Sequence, residues 1–373
     1  MKKIIFLCIL FITSNIVISQ SYQFTTTIDI EANNVKSQGR TGTCWSFSTT
    51  SFLESEIIRL TGKRIDLSEM YTVRNTYYDK AWNYIMRQGK TQFSEGGLAH
   101  DVLNSVKKYG LVPNEAYTGL NNQAVGHNHA ELISILKSTL DTYISKPDKI
   151  VSPKWKQVTA HILDIYLGEK IDSFVYEGTS YTPKSFLEYT KIIPENYISF
   201  TSFNHQPFYS NFILNIPDNF SNGSFYNLPV DELFAIVNHA LKKGFTVELD
   251  CDVSEKTFSS KHGIAVVPEK TEEYQESLKS IVPEKSISQE FRQKEFENQN
   301  TTDDHLMHII GIVQDQNKAP YFKMKNSWGS DSNRVKYGGY IYMSEAYFKL
   351  KAISITIHKD AIPKKLVNFL SIN

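Results

Sequence analysis

The chain has 373 residues, which is enough for two substantial lobes and a large buried core. Hydrophobic residues make up 41% of it and aromatic residues 13%, values that exclude a disordered chain. Lysine plus arginine and aspartate plus glutamate each number 40, and this neutral balance argues against nucleic acid or an anionic membrane as an obligatory partner.

The first 19 residues have the pattern of an export signal. Lys2 and Lys3 supply a positive start, residues 4–12 form an apolar core, and Ser19 is a small residue suited to cleavage. A membrane anchor is the alternative, but the polar residues after the core make the apolar run short for a bilayer span. We therefore expect an exported protein, periplasmic or extracellular, without a membrane partner once the signal is removed.

Cys44 follows a glycine-containing turn and precedes a long amphipathic run, which predicts a helix over residues 44–60. At a helix N-terminus the unpaired N–H groups and the dipole favour a thiolate. Upstream, Gln38 carries an amide that can donate to an oxyanion, as can the backbone N–H of Cys44. A nucleophile and an oxyanion donor on one turn indicate acyl transfer.

Removal of the signal leaves two cysteines, Cys44 and Cys251. A chain of this size with two cysteines does not depend on a disulfide framework. The two could pair with each other, but we expect two free thiols, with Cys251 packed behind the apolar strand that precedes it.

Apolar spacing predicts further helices over residues 67–87 and 98–109, which complete a helical lobe. The following stretch is harder to interpret. Residues 130–144 and 154–167 have helical spacing there, and Pro183 suits the first turn of a short helix.

A helix over residues 230–243 introduces a β-rich half. Alternating and apolar runs predict strands at residues 245–251, 307–314, 320–326, 338–343 and 352–358. The charged stretch 268–303 is expected to be solvated, with a polar helix at 269–279. The cleft is then expected between a helical lobe and a β-rich lobe.

His308 and Asn326 are the candidate partners of the thiol. His308 opens one predicted strand and Asn326 ends another, so two adjacent strands would bring imidazole and carboxamide together. Asn326 would then accept from one ring nitrogen while the other faces Cys44, and Trp328 would cover the pair. Histidines at 127, 129, 305 and 308 also suggest a metal, but no cysteine or glutamate partners complete a zinc pattern, and we expect neither metal nor other cofactor.

These residues resemble a known family. The order of Gln38, Cys44-Trp45-Ser46-Phe47, His308 and Asn326-Ser327-Trp328-Gly329 is similar to that of papain-like cysteine peptidases, most of all their bleomycin hydrolase and aminopeptidase C branch. The similarity covers roughly residues 35–120 and 230–365. It implies an α+β, two-lobed papain-like fold with a helical lobe, a β-rich barrel-like lobe and a helical insertion that covers or flanks the cleft.

The resemblance also supplies the division of the chain and two further site residues. We expect a signal peptide at residues 1–19, a helical lobe at 20–126, an inserted helical subdomain at 127–229 and a β-rich lobe at 230–373. Gly96 and Gly97 would form a backbone edge that binds the substrate chain, although a simple turn is an equal interpretation.

The predicted function is hydrolysis of peptides through a thiolate, with aminopeptidase action favoured. Endopeptidase action, an amidase or acyltransferase with the same site, and an inactive peptide-binding relative are the alternatives. The resembled branch forms hexamers and places a C-terminal arm in the cleft. In this chain the tail ends soon after residue 367, which puts the arm and the homo-oligomer in question.

Overall fold

The structure, a computed structural model, describes residues 21–120, 126–145 and 150–370. The predicted export signal and the last three residues of the tail lie outside these ranges. Within them, no helix combines the length and the apolar character that a membrane crossing requires.

The first part of the described chain holds the predicted helical lobe. A strand, β1 (Thr25–Asp29), precedes three helices, which are α1 (Cys44–Thr61), α2 (Glu69–Met86) and α3 (Ala99–Tyr109). All three helices confirm the prediction. Helix α1 ends at Gly62, whose φ of 70° gives a left-handed cap and whose N–H donates to the Ile58 carbonyl at 2.8 Å.

Helix α1 is buried on every side rather than along one apolar stripe. Its residues from Cys44 to Ile57 are all buried, because α2 and α3 pack against one side of it and the main sheet against the other. The polar side chains find partners inside this contact. Ser46 donates to the Glu69 carbonyl and Ser55 to the Glu31 carbonyl. The expected amphipathic helix is therefore the central element that joins both halves.

The next segment contains the predicted insertion helices and an unpredicted hairpin. The elements are α4 (Ala130–Ile144), α5 (Trp155–Leu167), the paired strands β2 (Phe174–Tyr176) and β3 (Thr179–Tyr181), and α6 (Pro183–Thr190). Helices α4 and α5 pack on α2 through leucines that are fully or almost fully buried. The insertion thus flanks the helical lobe.

Three short strands then join the main sheet. They are β4 (Tyr197–Thr201), β5 (Asn211–Ile213) and β6 (Ser224–Asn227). Between β5 and β6, residues 214–223 form a loop, called the 214–223 loop below, that crosses back to the helical lobe. Its Ser221 hydroxyl donates to Asp101 of α3 at 2.6 Å. The helical part of the insertion therefore ends before residue 197, and the domain limits stay a prediction.

The last part of the chain confirms the five predicted strands within the β-rich lobe. Its elements in order are α7 (Val230–Lys242), β7 (Val247–Cys251), β8 (Phe258–Ser259), β9 (Ile264–Ala265), α8 (Tyr274–Ser277), α9 (Gln289–Glu297), β10 (His305–Gln314), β11 (Pro320–Lys325), β12 (Tyr340–Ser344), α10 (Glu345–Lys351), β13 (Ala352–His358) and α11 (Lys364–Leu370).

The strands form one open, mostly antiparallel sheet. Their order is β5-β6-β4-β13-β7-β10-β11-β12-β9-β8, with β1 paired to β10. The two end strands of this order do not pair within the described ranges, so the expectation of a barrel-like lobe is corrected to an open sheet. The mixed α+β architecture itself is confirmed.

The charged stretch before β10 differs from its prediction. The polar helix expected at residues 269–279 is reduced to a 3-10 turn at Thr271–Glu273 and the four-residue helix α8, whereas an unpredicted helix, α9, packs on α10. Its Arg292 is 0% exposed and donates to the Ser202, Lys349 and Ala352 carbonyls. Burial lowers the pKa of Arg292 to about 9. These carbonyl groups accept the hydrogen bonds of the guanidinium, so that a charged residue can occupy a position in the core.

Candidate active site

Cys44 lies at the first residue of α1, as predicted, and its side chain is 8% exposed. The preceding residue, Thr43, makes no side-chain cap, and its hydroxyl lies 2.6 Å from that of Thr41. The first N–H groups of α1 are therefore not capped by that side chain. The backbone N–H of Leu306, on β10, reaches the thiol. The helix start and the sheet thus meet at Cys44.

Gln38 lies on the loop that leads into the Cys44 turn, and hydrogen bonds connect it to the turn after Asn326. Its Nε2 donates to the Thr41 carbonyl at 2.6 Å, and its Oε1 accepts from the Ser327 hydroxyl at 2.5 Å. Its backbone N–H donates to the Ser327 carbonyl at 2.8 Å. An amide nitrogen has two N–H groups, so Thr41 occupies one of them and an oxyanion can take the other.

Asn326 pairs with His305 and not with His308. The Nε2 atom of His305 lies 2.7 Å from Oδ1 of Asn326, which also accepts from the Ser327 N–H at 2.7 Å. Because Oδ1 is only an acceptor, His305 must carry its proton on Nε2. Nδ1 is then the ring nitrogen that can accept a proton.

The predicted contact between Asn326 and His308 is wrong, and the strand register gives the reason. Lys325 lies opposite His308 in the β10–β11 ladder, so these two side chains share one face of the sheet. Both contact the Ser51 hydroxyl of α1, His308 through Nδ1 at 2.9 Å and Lys325 through Nζ at 2.8 Å. Asn326 is one residue further along and projects to the opposite face, on the side of His305.

Trp328 covers the His305–Asn326 pair. Its ring centroid lies 4.7 Å from that of His305, with a tilt of 36° between the planes. Phe258 packs edge-on against Trp328, with the two centroids 5.9 Å apart. The covering role expected for Trp328 is thus present, but over His305.

Gly96 and Gly97 lie next to the nucleophile turn, and each has a close-packing reason to be glycine. A Cβ on Gly97 would lie 3.1 Å from the Trp45 ring. A Cβ on Gly96 would lie 1.9 Å from a carboxylate oxygen of Asp218, which comes from the 214–223 loop. The proposed substrate edge is therefore partly covered at Gly96 by an acidic side chain.

The surroundings favour the neutral forms of both reacting groups. Burial raises the pKa of Cys44 from 9.0 to about 12, and the nearby Asp218, Asp303 and Asp250 add to this rise. Burial lowers the pKa of His305 to about 4, while its bond to Asn326 acts in the opposite direction. Burial therefore opposes both the thiolate and the imidazolium, and the expected thiolate stays a prediction.

The sequence interpretation missed His305 and the three aspartates. His305 is the first residue of β10, which begins two residues before its predicted start, and so it was considered only for metal binding. Asp250 lies within β7 and Asp303 lies just before β10. A signal was available at Asp250, because an acidic residue in a buried strand needs a reason. Nothing in the local pattern around Asp218 placed it beside Gly96.

The histidines considered for metal have other partners. The hydroxyl of Tyr77 lies 3.1 Å from Nδ1 of His129, and burial lowers the pKa of His129 to about 4. Among the residues at 21–120, 126–145 and 150–370, no three potential ligands gather into a metal-binding group. Both cysteines in these ranges, Cys44 and Cys251, carry free thiols, and Cys251 is 0% exposed in the core of the β-rich lobe.

Family models match nearly the whole described chain. Residues 169–373 match the Peptidase C1-like family, which is more than half of the sequence, and residues 20–160 match the papain family cysteine protease. The chain belongs to the Peptidase C1-like family. This membership confirms the resemblance to papain-like cysteine peptidases.

Individual relatives point to the same branch of this family. Aminopeptidase G of Lactobacillus delbrueckii subsp. lactis is 23% identical over 92% of this chain and 85% of its own. Aminopeptidase C of Listeria monocytogenes is 23% identical over 91% of this chain and 83% of its own, and mouse bleomycin hydrolase is 21% identical over the same shares. These relatives confirm the predicted bleomycin hydrolase and aminopeptidase C branch.

A solved structure shares the fold of this family member. The crystal structure of PepW from Lactobacillus rhamnosis HN001 superimposes with a TM-score of 0.74 at 19% identity. The match covers 93% of this chain and 84% of the PepW chain. The papain-like two-lobed arrangement is thus shown for nearly all of the sequence.

Proposed function

We propose that this chain is a cysteine aminopeptidase that removes residues from the free N-terminus of peptides. The observation that carries the proposal is the 2.7 Å contact between His305 Nε2 and Asn326 Oδ1, which Trp328 covers. The backbone N–H of the next residue, Leu306, reaches the Cys44 thiol. The His305–Asn326 pair is the orienter-and-base arrangement that thiol acyl transfer requires. The relatives that bear the names aminopeptidase C and G support the substrate class.

The reaction follows from this geometry. Nδ1 of His305 takes the thiol proton as the sulfur of Cys44 attacks the carbonyl carbon of the first peptide bond. The oxyanion that forms accepts hydrogen bonds from the second Nε2–H of Gln38 and the N–H of Cys44. His305 then gives its proton to the leaving amine, and a thioester remains. Water attacks the thioester with His305 as the base, which releases the amino acid and restores the thiol.

The nucleophile is tested by labelling and mutation. The mature chain is treated with a thiol-directed epoxide, and the labelled peptide is mapped by mass spectrometry. We expect the label on Cys44, and we expect Cys44→Ala to lose both the label and the hydrolysis of aminoacyl coumarylamides. Cys251→Ala is the matched control and keeps most of the activity. A label on Cys251, or hydrolysis by Cys44→Ala, contradicts the proposal.

The exopeptidase mode is supported by the 214–223 loop. It lies against the helical lobe where Asp218 meets Gly96, so it narrows the cleft on one side of the nucleophile. The described part of the tail, helix α11, instead packs near Tyr209 and α7, and Phe369 contacts the Tyr209 ring. We therefore propose that the loop, rather than the tail, restricts the substrate to its first residue.

The mode is tested with matched peptides that have free or acetylated N-termini. The full mature chain should cleave the free peptide much faster, and a chain that ends at Val367 should keep this preference. Equal cleavage of both peptides by the full chain would favour endopeptidase action. If truncation at Val367 removes the preference for the free N-terminus, the tail and not the 214–223 loop restricts the substrate.

Export and assembly are further parts of the proposal. The pattern of Lys2, Lys3 and the apolar core supports export, and N-terminal sequencing of the mature protein should begin near Gln20. A homo-oligomer is supported by the exposed apolar side chains Phe369 and Ile213, which are 65% and 48% exposed. Sedimentation velocity should show a species larger than the monomer, and Phe369→Ser should reduce its size.

A further inference from the structure

Three carboxyl groups gather beside the nucleophile. Asp250 lies on β7, Asp303 just before β10, and Asp218 in the 214–223 loop; we call them the carboxyl cluster. All three are close enough to Cys44 to raise the pKa of its thiol. The backbone N–H of Asp218 donates to Asp303, and the side chains of Asp303 and Asp250 face each other.

The deepest member of the cluster has no hydrogen-bond partner outside the cluster. Asp250 is 0% exposed, and among the described residues only the Asp303 carboxyl is a partner of its carboxyl oxygens, which requires a proton between the two groups. The Oδ2 atom of Asp303 is also buried without a donor from another residue. Buried carboxyls in this arrangement need a shared proton or a bound cation, because an unpaired buried charge is costly.

The protein itself supplies one nearby cation, Lys80 of α2, which is 3% exposed. Its Nζ donates to the carbonyl oxygens of Ser94 and Gly96, so it holds the glycine turn. The positive charge of Lys80 lowers the pKa of Asp218, and it interacts more weakly with Asp303. It is not among the main charges that act on Asp250. The carboxyls outnumber this cation, and the inner pair stays without a positive partner.

One member of the cluster, Asp218, lies at the expected substrate edge. Asp218 is partly exposed, and its carboxylate lies directly over Gly96, on the edge that a substrate at Cys44 would follow. A cation on the residue that donates the scissile carbonyl would lie between this edge and the nucleophile. An ammonium group there would donate to several carboxyl oxygens at once.

We propose that the carboxyl cluster of Asp218, Asp250 and Asp303 binds the cationic group of the substrate and so holds the scissile bond at Cys44. The inference rests on the proposed peptidase function and assigns its substrate class. The cation is an ammonium or a guanidinium. The α-ammonium of a free N-terminus and the side chain of a basic residue are its two sources, and the α-ammonium fits the aminopeptidase mode.

Binding of a cation should be linked to proton release. Burial, then Asp218 and Asp304, raise the pKa of Asp303 to about 7, with Asp250 facing it as a hydrogen-bond partner. Burial also raises the pKa of Asp250 well above its usual range, and Asp303, Glu248 and Asp218 add to this rise. Further titratable neighbours of the cluster are Lys80 from α2, Asp101 from α3 and the thiol of Cys44 from α1. A bound cation favours the ionised carboxyls, so KM should fall as the pH rises through about 7.

The test compares three coumarylamide substrates on the full mature chain. Leucyl amide has the α-ammonium, 4-methylpentanoyl amide lacks it, and N-acetylarginyl amide has only the guanidinium. The variants are Asp303→Asn and Asp218→Asn, and Asp172→Asn neutralises a side chain that is 91% exposed as the control. Melting curves confirm that each variant is folded.

We expect Asp303→Asn to raise the KM of the leucyl amide by about tenfold to a hundredfold, with kcat changed less than about threefold. The 4-methylpentanoyl amide should bind poorly to every variant, and Asp172→Asn should behave as the wild type. A rise in KM confined to the acetylarginyl amide would assign the cluster to a basic side chain. For the α-ammonium, KM should rise again above about pH 8, where the amine loses its proton.

The outcomes separate this inference from the proposed function. If the wild type cleaves the leucyl amide through Cys44 but KM is the same in all variants, the cluster does not bind substrate. A KM that is constant between pH 6 and 8 in the wild type contradicts the inference even if a variant fails to fold. If the wild type cleaves no peptide or amide, the proposed function fails first.

Discussion

Two histidines three residues apart on β10 lie in opposite surroundings. His305 faces the cleft, where Asn326 accepts from its Nε2 at 2.7 Å and Trp328 covers the ring. His308 faces α1, where its Nδ1 contacts Ser51 at 2.9 Å and its ring packs edge-on against Phe52. The odd spacing along a strand places them on opposite faces of the sheet.

The comparison shows how little separates a reactive histidine from a structural one. Both rings are buried, and burial lowers both pKa values, to about 4 for His305 and well below the ordinary value for His308. The two histidines differ in the groups that surround the imidazole ring. His305 has a carboxamide that fixes its tautomer, and the residue after it, Leu306, reaches the Cys44 thiol through its backbone N–H, whereas Nε2 of His308 has no partner among the described residues. The neighbouring side chains, and not the imidazole ring itself, therefore decide what each histidine can do chemically.

The largest expected effect separates the two histidines directly. His305→Ala should lower kcat/KM for an aminoacyl coumarylamide on the order of a thousandfold or more, because the base is lost. His308→Asn should keep kcat within about tenfold but lower the free energy of unfolding by about 1–3 kcal/mol, because the Ser51 contact is disturbed. Steady-state kinetics and urea titration measure the two effects. If His308→Asn is the inactive variant, the assignment is reversed.

The next effect tests the oxyanion donor on the cleft side. Gln38→Ala should lower kcat by about a hundredfold to a thousandfold with a small change in KM, since the donor acts mainly in the transition state. The matched change on the other face, Ser51→Ala, removes a hydroxyl that contacts His308 and should affect stability more than kcat. Similar losses of kcat in both variants would mean that the two faces are not functionally distinct.

Adjacent residues on β11 and just beyond it give a sharper comparison. Asn326→Ala should lower kcat by about tenfold to a hundredfold, because the imidazole loses its fixed orientation. Lys325→Met, one residue before it, removes a cation from the buried face near Glu54 and should lower stability instead. We expect kinetics to detect the first variant and thermal unfolding the second. Kinetic loss in Lys325→Met alone would contradict the observed register.

The smallest expected effect concerns the pH dependence of the thiol. Because burial and the carboxylates raise the pKa of Cys44, the rate of alkylation by iodoacetamide should increase steadily from pH 6 to 10. Removing a negative charge in Asp218→Asn should lower that pKa and increase the rate at pH 7 a few-fold. A rate that is already at its plateau at pH 6 would show that a thiolate–imidazolium pair exists before substrate binds.

Much of the site could be predicted because its signals are local. Cys44 follows a turn and begins a helix, Asn326 ends a strand, and both features are encoded within about ten residues. Which histidine pairs with Asn326 could not be predicted from the local sequence. It depended on the start of β10 and on its register with β11, and a shift of one residue in register changes the face of every side chain.

The elements that the sequence pattern missed were stabilised by distant groups. Helix α9 has no apolar stripe, and the carbonyl groups that accept from Arg292 come from Ser202, directly after β4, and from the α10–β13 junction. The 214–223 loop has little regular structure, yet Ser221 and Asp218 fix it to α3 and to the glycine turn. The spacing of apolar residues along a segment cannot predict such partners, because it indicates only which face of that segment is apolar.

The sequence by itself determined the family, the helical and β-rich halves, and the positions of Cys44 at a helix start and Asn326 at a strand end, because each rests on a short motif or a period along the chain. Only the tertiary structure decided which histidine meets Asn326, that the sheet stays open, and that Asp218, Asp250 and Asp303 surround Cys44. Those three aspartates come from segments far apart in sequence, and their pKa values exist only once folding has buried them together.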